Sequence, residues 1–379
     1  IARMDRLGIR HLAVTDGPNG RLVGVVSART LLRQRAGAAL LLGDEVAEAE
    51  DAAALAAVHR RLPALAGALL DERLPAVEIA MLISAVLRDI SARAAALAES
   101  AMAREGRGPA PVPWCYLVLG SGGRGESLLS ADQDNAIVHA GAAADDPWFA
   151  ELGRRASDLL DQAGIPYCNG KVMASEPSWR GNLDDWRRRI TGWVERPSEE
   201  NLLNVDIFYD FRPVHGHAAL AEELRRHALA AARSSPPFLA LLARQLEDFG
   251  PPVGFLGRIR TEGGRIDLKR GGTLPIVAGA RVLALSCGTS ALATGERLSA
   301  AVAAGLLNEA DAGILQEAFG LMMELILEQQ IVDIRAGGAP SSRVELKRLS
   351  PQRRRRLKAA FDAVATVDDA VRTGLTAGS

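Results

Sequence analysis

Residues 114–138 constrain the fold of this chain more than any other stretch. Tyr116-Leu117-Val118-Leu119 reads as a short buried strand that runs into Gly120-Ser121-Gly122-Gly123-Arg124-Gly125-Glu126. Helix-compatible Ser127-Leu128-Leu129 follows, and Ser130-Ala131-Asp132-Gln133-Asp134-Asn135-Ala136-Ile137-Val138 then reads as a turn and a second strand. Glycines between an apolar strand and a helix start let backbone N–H groups approach an anion closely, and the helix start adds a favourable dipole. The loop is a phosphate cradle in type but not a P-loop, because no Gly-Lys-Ser/Thr follows it.

Asp132 and Asp134 stand two apart. If both lie on the second strand, the pleat puts the two carboxylates on one face, beside the cradle. They would repel each other there unless a divalent cation bound between them. Mg²⁺ prefers such hard oxygen donors and commonly shares its shell with substrate phosphates, so cradle and acidic pair together point to metal-assisted chemistry on a nucleotide. The bland alternative is a tight turn with two solvated aspartates. An interior strand gains nothing from two same-face charges without a partner, which favours the metal reading.

The string Gly120-Ser121 through Asp132-x-Asp134 resembles the nucleotidyltransferase superfamily that includes DNA polymerase β and kanamycin nucleotidyltransferase. The fuller pattern, Gly-Ser-x-Gly-Arg-x-Glu followed by Ser-x-Asp-x-Asp-Asn, is more similar to the nucleotidyltransferase domain of protein-PII uridylyltransferases and glutamine-synthetase adenylyltransferases. Most similar are signal-transduction nucleotidyltransferases in which CBS or cyclic-nucleotide-binding modules precede this domain. The resemblance runs from about residue 110 almost to the C-terminus. It implies transfer of a nucleoside monophosphate from a nucleoside triphosphate (ATP or UTP) to an acceptor hydroxyl, with release of pyrophosphate. It also implies two Mg²⁺ ions on Asp132 and Asp134, and the β- and γ-phosphates held at Gly120, Ser121 and Gly122. The acceptor would be a protein such as a PII-like regulator, or a small molecule.

The superfamily uses a third carboxylate on a neighbouring strand. Val205-Asp206-Ile207-Phe208-Tyr209-Asp210-Phe211-Arg212 is a β-rich run that would place Asp206 and Asp210 on one face. Asp210, within Phe-Tyr-Asp-Phe-Arg-Pro-Val-x-Gly, matches the family pattern better, with Asp206 the rival ligand. Lys171 follows the turn signal Asn169-Gly170 and either faces a triphosphate or is a solvated loop lysine. Lys269, in the family-like Asp267-Leu268-Lys269-Arg270-Gly271-Gly272, either steadies a triphosphate or pairs with Asp267. Arg124 either reaches a phosphate as a fork of donors or joins Glu126 in holding the loop.

The rest of the chain supplies the setting. His11–Asp16 and Arg21–Ser27 read as two strands around Gly17-Pro18-Asn19-Gly20, with a helix over 28–35. This segment resembles the closing half of a CBS module, with Thr30 where that family usually has an Asp for an adenosine ribose. The missing half implies a partner surface and hence a homodimer. Residues 44–104 carry two apolar helical stripes separated at Pro75, packing as a hairpin. Gly106–Pro113 is a linker. From His217 the chain turns helical, over 218–232, 238–249, 274–285, 291–305, 309–336 and 351–373. Arg281 interrupts an apolar helix, which suggests a buried ion pair or an inward contact.

Balanced charge, 45 basic against 46 acidic residues, argues against a general nucleic-acid binder. The Arg353–Arg356 cluster lacks the interleaved aromatics that single-strand stacking needs. Three scattered cysteines without a CxxC pair suit a reducing cytoplasm. No apolar run approaches the roughly 18 residues of a membrane span, so no membrane partner is expected. The chain opens without Met and in mid-pattern, as a fragment of a longer one would.

The expected architecture is therefore an α/β nucleotidyltransferase core, a mixed sheet with flanking helices, followed by an all-α C-terminal domain. The domains would be a partial CBS module (1–36), a helical linker (37–108), the core (109–216) and a helical substrate-binding domain (217–379). The rival reading is a regulatory module that holds a nucleotide without turning it over.

Overall fold

The computed structural model describes residues 11–15, 20–27, 37, 41–196, 199–254 and 258–377. β1 (His11–Thr15) and β2 (Leu22–Ser27) form an antiparallel hairpin in which Ala13 faces Val25. The helix expected over 28–35, with Thr30, lies outside the described residues, and a two-stranded hairpin does not by itself establish a CBS module.

α1 (Ala52–His59) starts where the Asp51 carboxylate accepts from the Ala54 amide at 2.8 Å, an N-cap that satisfies an otherwise unpaired donor. α2 (Leu62–Asp71) follows after Arg60 and Arg61. Ala52–Asp71 as a whole is long and apolar enough, at mean hydropathy 1.2, to cross a membrane by length and composition, which amends the sequence expectation. Here the two arginines split it, and Leu55, Val58, Leu62 and Leu69 are buried in the protein core. Pro75 precedes α3 (Ala76–Met102), a rod of about 40 Å that buries Ile79, Ile83, Val86, Ile90 and Ala94 along one side. Gly106 and Gly108, both at positive φ, turn the chain out of the helix.

The α/β layer comprises β3 (Trp114–Val118), α4 (Gly120–Arg124), β4 (Asn135–His139), α5 (Asp146–Gln162), β5 (Arg180–Asn182), α6 (Leu183–Glu195), α7 (Glu199–Phe208) and β6 (Arg212–Gly216). The strand order is β5-β4-β3-β6, with β3 antiparallel to both β4 and β6 and β4 parallel to β5. β3 and β4 are buried on both faces. Trp114, Tyr116 and Ile137 pack with Phe149 and Leu152 of α5 and Met102 of α3, while Cys115, Leu117 and Val138 join the larger core on the other side.

One expectation changes here. The run expected as a strand over 205–212 is helical to Phe208, and the strand starts at Arg212. Val205 and Phe208 are three apart and both fully buried, and Phe208 stacks on Trp186 at 5.3 Å between centroids. Short apolar runs do not distinguish helix from strand by period alone, and packing decides. Asn182 and Asp185 form a capping box that begins α6, so Trp186 and Trp193 lie on that helix and Trp179 precedes it.

α8 (Ala218–Arg233), α9 (Pro236–Arg244), β7 (Arg265–Asp267), α10 (Leu274–Cys287), α11 (Thr294–Ala303), α12 (Glu309–Arg335), β8 (Arg343–Glu345), α13 (Pro351–Ala365) and α14 (Val367–Ala377) complete the chain. β7 and β8 pair antiparallel. α10 is buried on every side from Pro275 to Leu285, as a helix apolar all round must be, with Arg281 in its middle. The molecule is thus a small mixed sheet with flanking helices followed by a helical region, and α12 reaches back to pack on α3.

Candidate active site

The glycine loop is a tightly held half-turn rather than a free loop. Gly120 has φ 55°, and a Cβ there would lie 2.7 Å from Asp134 Oδ2. A Cβ at Gly123 would lie 1.7 Å from the Asp210 carbonyl oxygen. Both positions therefore require glycine. The Gly120, Ser121 and Gly122 amides belong to the first turn of α4, where no helical acceptor is available to them. Around them the loop is clamped. Arg88 of α3 donates to Gly122 O at 3.0 Å, Arg212 to Gly123 O at 2.9 Å, and the Ser127 amide to Ser84 Oγ at 2.8 Å. Ser121 Oγ lies 3.0 Å from Ser127 Oγ.

Asp132 and Asp134 precede β4 instead of lying on it, yet the segment is extended and pinned on both edges. Asp134 O accepts from the Leu119 amide at 2.9 Å, while the Gln133 and Asn135 amides donate to Pro166 O and Val172 O at 3.0 Å. Alternation follows. Gln133 and Asn135 are buried, Gln133 donating to Ser157 O and Ile165 O and Asn135 accepting from the Ala174 amide. Asp132 and Asp134 face the other way. Ligand atoms of Asp132, Asp134 and Cys168 all lie within 4.8 Å of one another. Burial and then the Asp132 charge push the Asp134 carboxyl up to about 6, against the pull of Cys168, Lys269 and Arg124. Burial pushes the Cys168 thiol up to about 11, so it enters as a neutral hydrogen-bond donor. Two hard carboxylate donors, one of them disfavoured as an anion, fit a divalent cation of the Mg²⁺ type; the neutral thiol does not.

The pair opens onto a cavity of about 500 Å³ between the α/β layer and the helical region. Gly120, Ser121 and Asp206 line it from the first, and Lys269, Arg281 and Gln330 from the second. Gln330 Oε1 accepts from the Leu129 amide at 2.9 Å, tying α12 to the loop. Lys269 is exposed, and Asp267 caps its turn by accepting from the Lys269 and Arg270 amides at 3.1 and 3.0 Å. Asp267 is thus occupied by backbone, and the Lys269 charge acts on Asp134. Gly122 lines an adjoining crevice of about 30 Å³ that also touches Asp132 and Asp134.

Three other expected site residues are placed differently from that expectation. Lys171 sits exposed at φ 56° at the end of the turn from Cys168 and is absent from the cavity wall. The Asn169-Gly170 reversal brings Cys168, not Lys171, to the acidic pair. Arg124 lines the cavity, but its Nε donates to Glu126 Oε2 at 2.7 Å and its Nη1 to Asp210 Oδ2, so it holds the loop. Glu126 in turn accepts from the Thr294 amide and hydroxyl at 2.6 and 3.0 Å, fixing the loop to α11.

Asp210 is fully buried and surrounded by guanidinium groups. Arg281 reaches Oδ2 at 2.7 Å, Arg297 reaches Oδ1 at 2.7 Å, and Arg124 completes the set. Burial alone would raise its pKa, but Arg281, Arg297 and Arg124 outweigh it and hold the carboxyl well below the usual carboxylate range. Such a carboxylate has no open side for a cation, which corrects its assignment as the third metal ligand. Asp206, one helical turn earlier, meets the same Arg281 at 2.7 Å and is half-buried on the cavity wall. Burial pushes its carboxyl up. The two aspartates do share a face, by helical spacing and not by the expected pleat. Sequence reading left Arg297 and Arg88 aside; each looks like an ordinary helix arginine until the tertiary fold supplies its neighbours.

Residues 60–200 match the family model described as "Putative nucleotidyltransferase DUF294". Residues 236–375 match the one described as "Putative nucleotidyltransferase substrate binding domain". No curated protein matches the chain. The first match holds the glycine loop and the acidic pair, the second the helices that close the cavity over them, and together the two matches support a nucleotidyltransferase family for this chain.

Proposed function

We propose that the chain is a Mg²⁺-dependent nucleotidyltransferase that moves a nucleoside monophosphate from ATP or UTP to an acceptor hydroxyl and releases pyrophosphate. One observation carries the reading. Two adjacent carboxylates, without a cationic side chain bonded to either among the described residues, face a cavity beside the open amides of a glycine turn. Asp132 and Asp134 would hold the metal, which supplies charge neutralisation at the phosphates when bound. The two expected ions would draw their third carboxylate from Asp206. The Gly120–Gly122 amides and Ser121 orient the triphosphate, with Lys269 as the cavity's phosphate cation. The helical wall excludes water and seats the acceptor, so most of the acceleration comes from positioning. Asp210, Arg124, Arg281 and Arg297 keep the loop and that wall in register. A protein acceptor, a uridylyltransferase-like role in signal transduction and a cytoplasmic setting are proposed on the sequence resemblance.

The test is pyrophosphate release from labelled ATP or UTP with Mg²⁺ and candidate hydroxyl acceptors, in wild type and in Asp134→Asn. Turnover that needs Mg²⁺ and is lost in the variant is expected. Tight nucleotide binding with no pyrophosphate release, unchanged by Asp134→Asn, would establish the non-catalytic binding module instead.

A further inference from the structure

Six arginines lie at the glycine turn or at the 206–212 segment packed against it, and they divide into two sets. Arg124, Arg281 and Arg297 each bond a carboxylate. Among the described residues Arg88, Arg212 and Arg225 form no ion pair with a carboxylate, although the Asp89 charge acts on Arg88 and the Asp210 charge on Arg225. Each bonds only a backbone carbonyl: Arg88 that of Gly122, Arg212 that of Gly123, and Arg225 that of Phe211, over whose ring its guanidinium carbon lies at 4.1 Å. Gly122 and Gly123 are consecutive, so Arg88 and Arg212 converge on the C-terminal end of α4. The open amides and the acidic pair lie at its N-terminal end.

Carbonyl oxygens favour cations, but the partial negative charges of three carbonyls do not neutralise three guanidinium groups. The three are half-buried, where like charges interact more strongly than in water. Burial, and then neighbouring arginines, lower Arg88 and Arg225 to about 10. A guanidinium has five N–H donors, and Arg88 and Arg212 each commit one to the loop. The donors that remain bond no carboxylate among the described residues, and a guanidinium presents such donors as a planar fork that suits a tetrahedral oxyanion.

We propose that Arg88 and Arg212, reinforced by Arg225, form a second binding site behind the glycine turn for a phosphate-bearing anion. The ligand is recognised as a phosphate or diphosphate group. It comes either from the terminal phosphates of the bound nucleotide or from a separate phosphorylated ligand. The inference stands apart from the nucleotidyl-transfer reading, because binding at this site requires neither the acidic pair nor turnover.

The experiment is calorimetric titration of the full chain with inorganic pyrophosphate, in metal-free buffer at low salt. Binding is expected in wild type and in Asp134→Asn, and at least tenfold weaker in Arg88→Gln and in Arg212→Gln. Arg88→Lys should recover part of the loss. Thermal melting of each variant checks the fold. Repeating the titration on protein saturated with a non-hydrolysable triphosphate and Mg²⁺ separates the sources. Loss of binding identifies the nucleotide's own phosphates, and persistence identifies a separate ligand. Binding that ignores Arg88→Gln and Arg212→Gln, or that is abolished by Lys269→Gln, overturns the site and leaves these arginines as loop caps only. A site that binds pyrophosphate in a chain without transferase activity would refute the function proposed above and leave this inference standing.

Discussion

Two sets of carboxylates lie on either side of the same glycine turn, and their surroundings are opposite. Asp210 is sealed in with Arg124, Arg281 and Arg297, and its charge is fully compensated. Asp132 and Asp134 face each other and a cavity, and burial and mutual repulsion disfavour the ionised form of Asp134. The first arrangement stabilises a fold. The second costs stability and is understandable only through something that binds there. The contrast also shows why sequence pattern alone misassigns an aspartate: both kinds occupy family-like strings, and only their neighbours differ.

The comparison breaks most visibly at its buried end. Asp210→Ala leaves three guanidinium groups without their shared anion and should cost about 3–5 kcal/mol, read by denaturant unfolding. A loss under about 1 kcal/mol would contradict a structural role for Asp210. At the open end, Asp134→Asn should cut Mg²⁺-dependent nucleotidyl transfer at least about a hundredfold, or about 3 kcal/mol of barrier.

The same variant should make the metal-free protein more stable, by about 3 kcal/mol above pH 6. The sign follows from the raised folded pKa. Between about pH 4 and 6 the unfolded chain gives up this proton first, so wild-type stability falls as pH rises through that window. Asn has no proton to lose, so its advantage should vanish towards pH 4 in melts recorded across the range. Between the two ends, Gly123→Ala drives a methyl into the Asp210 carbonyl and should destabilise by about 1–3 kcal/mol. The smallest effects sharpen the cavity's edge. Lys269→Ala should weaken triphosphate binding about tenfold, worth about 1.4 kcal/mol, whereas Lys171→Ala should change it less than about twofold.

Much of this was legible beforehand. The strand, glycine turn and Asp-x-Asp string place an anion cradle beside an acidic pair, and the 3.6-residue apolar period finds the flanking helices. The alternation that turns Asp132 and Asp134 to one side survives although both precede the strand, because backbone bonds to Leu119, Pro166 and Val172 keep the segment extended. Less legible was the run from Val205 to Arg212, whose apolar residues satisfy both periods until Trp186 stacks on Phe208. The turn at Asn169-Gly170 was visible, but not that it delivers Cys168 to the site and leaves Lys171 outside.

By itself the sequence determined what is local: where backbone must bend at glycine, which long stretches carry a helical period, and which two carboxylates must lie close together. These depend on dihedral freedom, capping and short-range period, which neighbouring residues set. Only the tertiary structure decided which aspartate is neutralised and which is exposed to a ligand, which arginines hold the loop, and which remain without an acid. Charge compensation is set by partners distant in sequence, such as Arg281 and Arg297 for Asp210, and no local pattern encodes which side chain will arrive there.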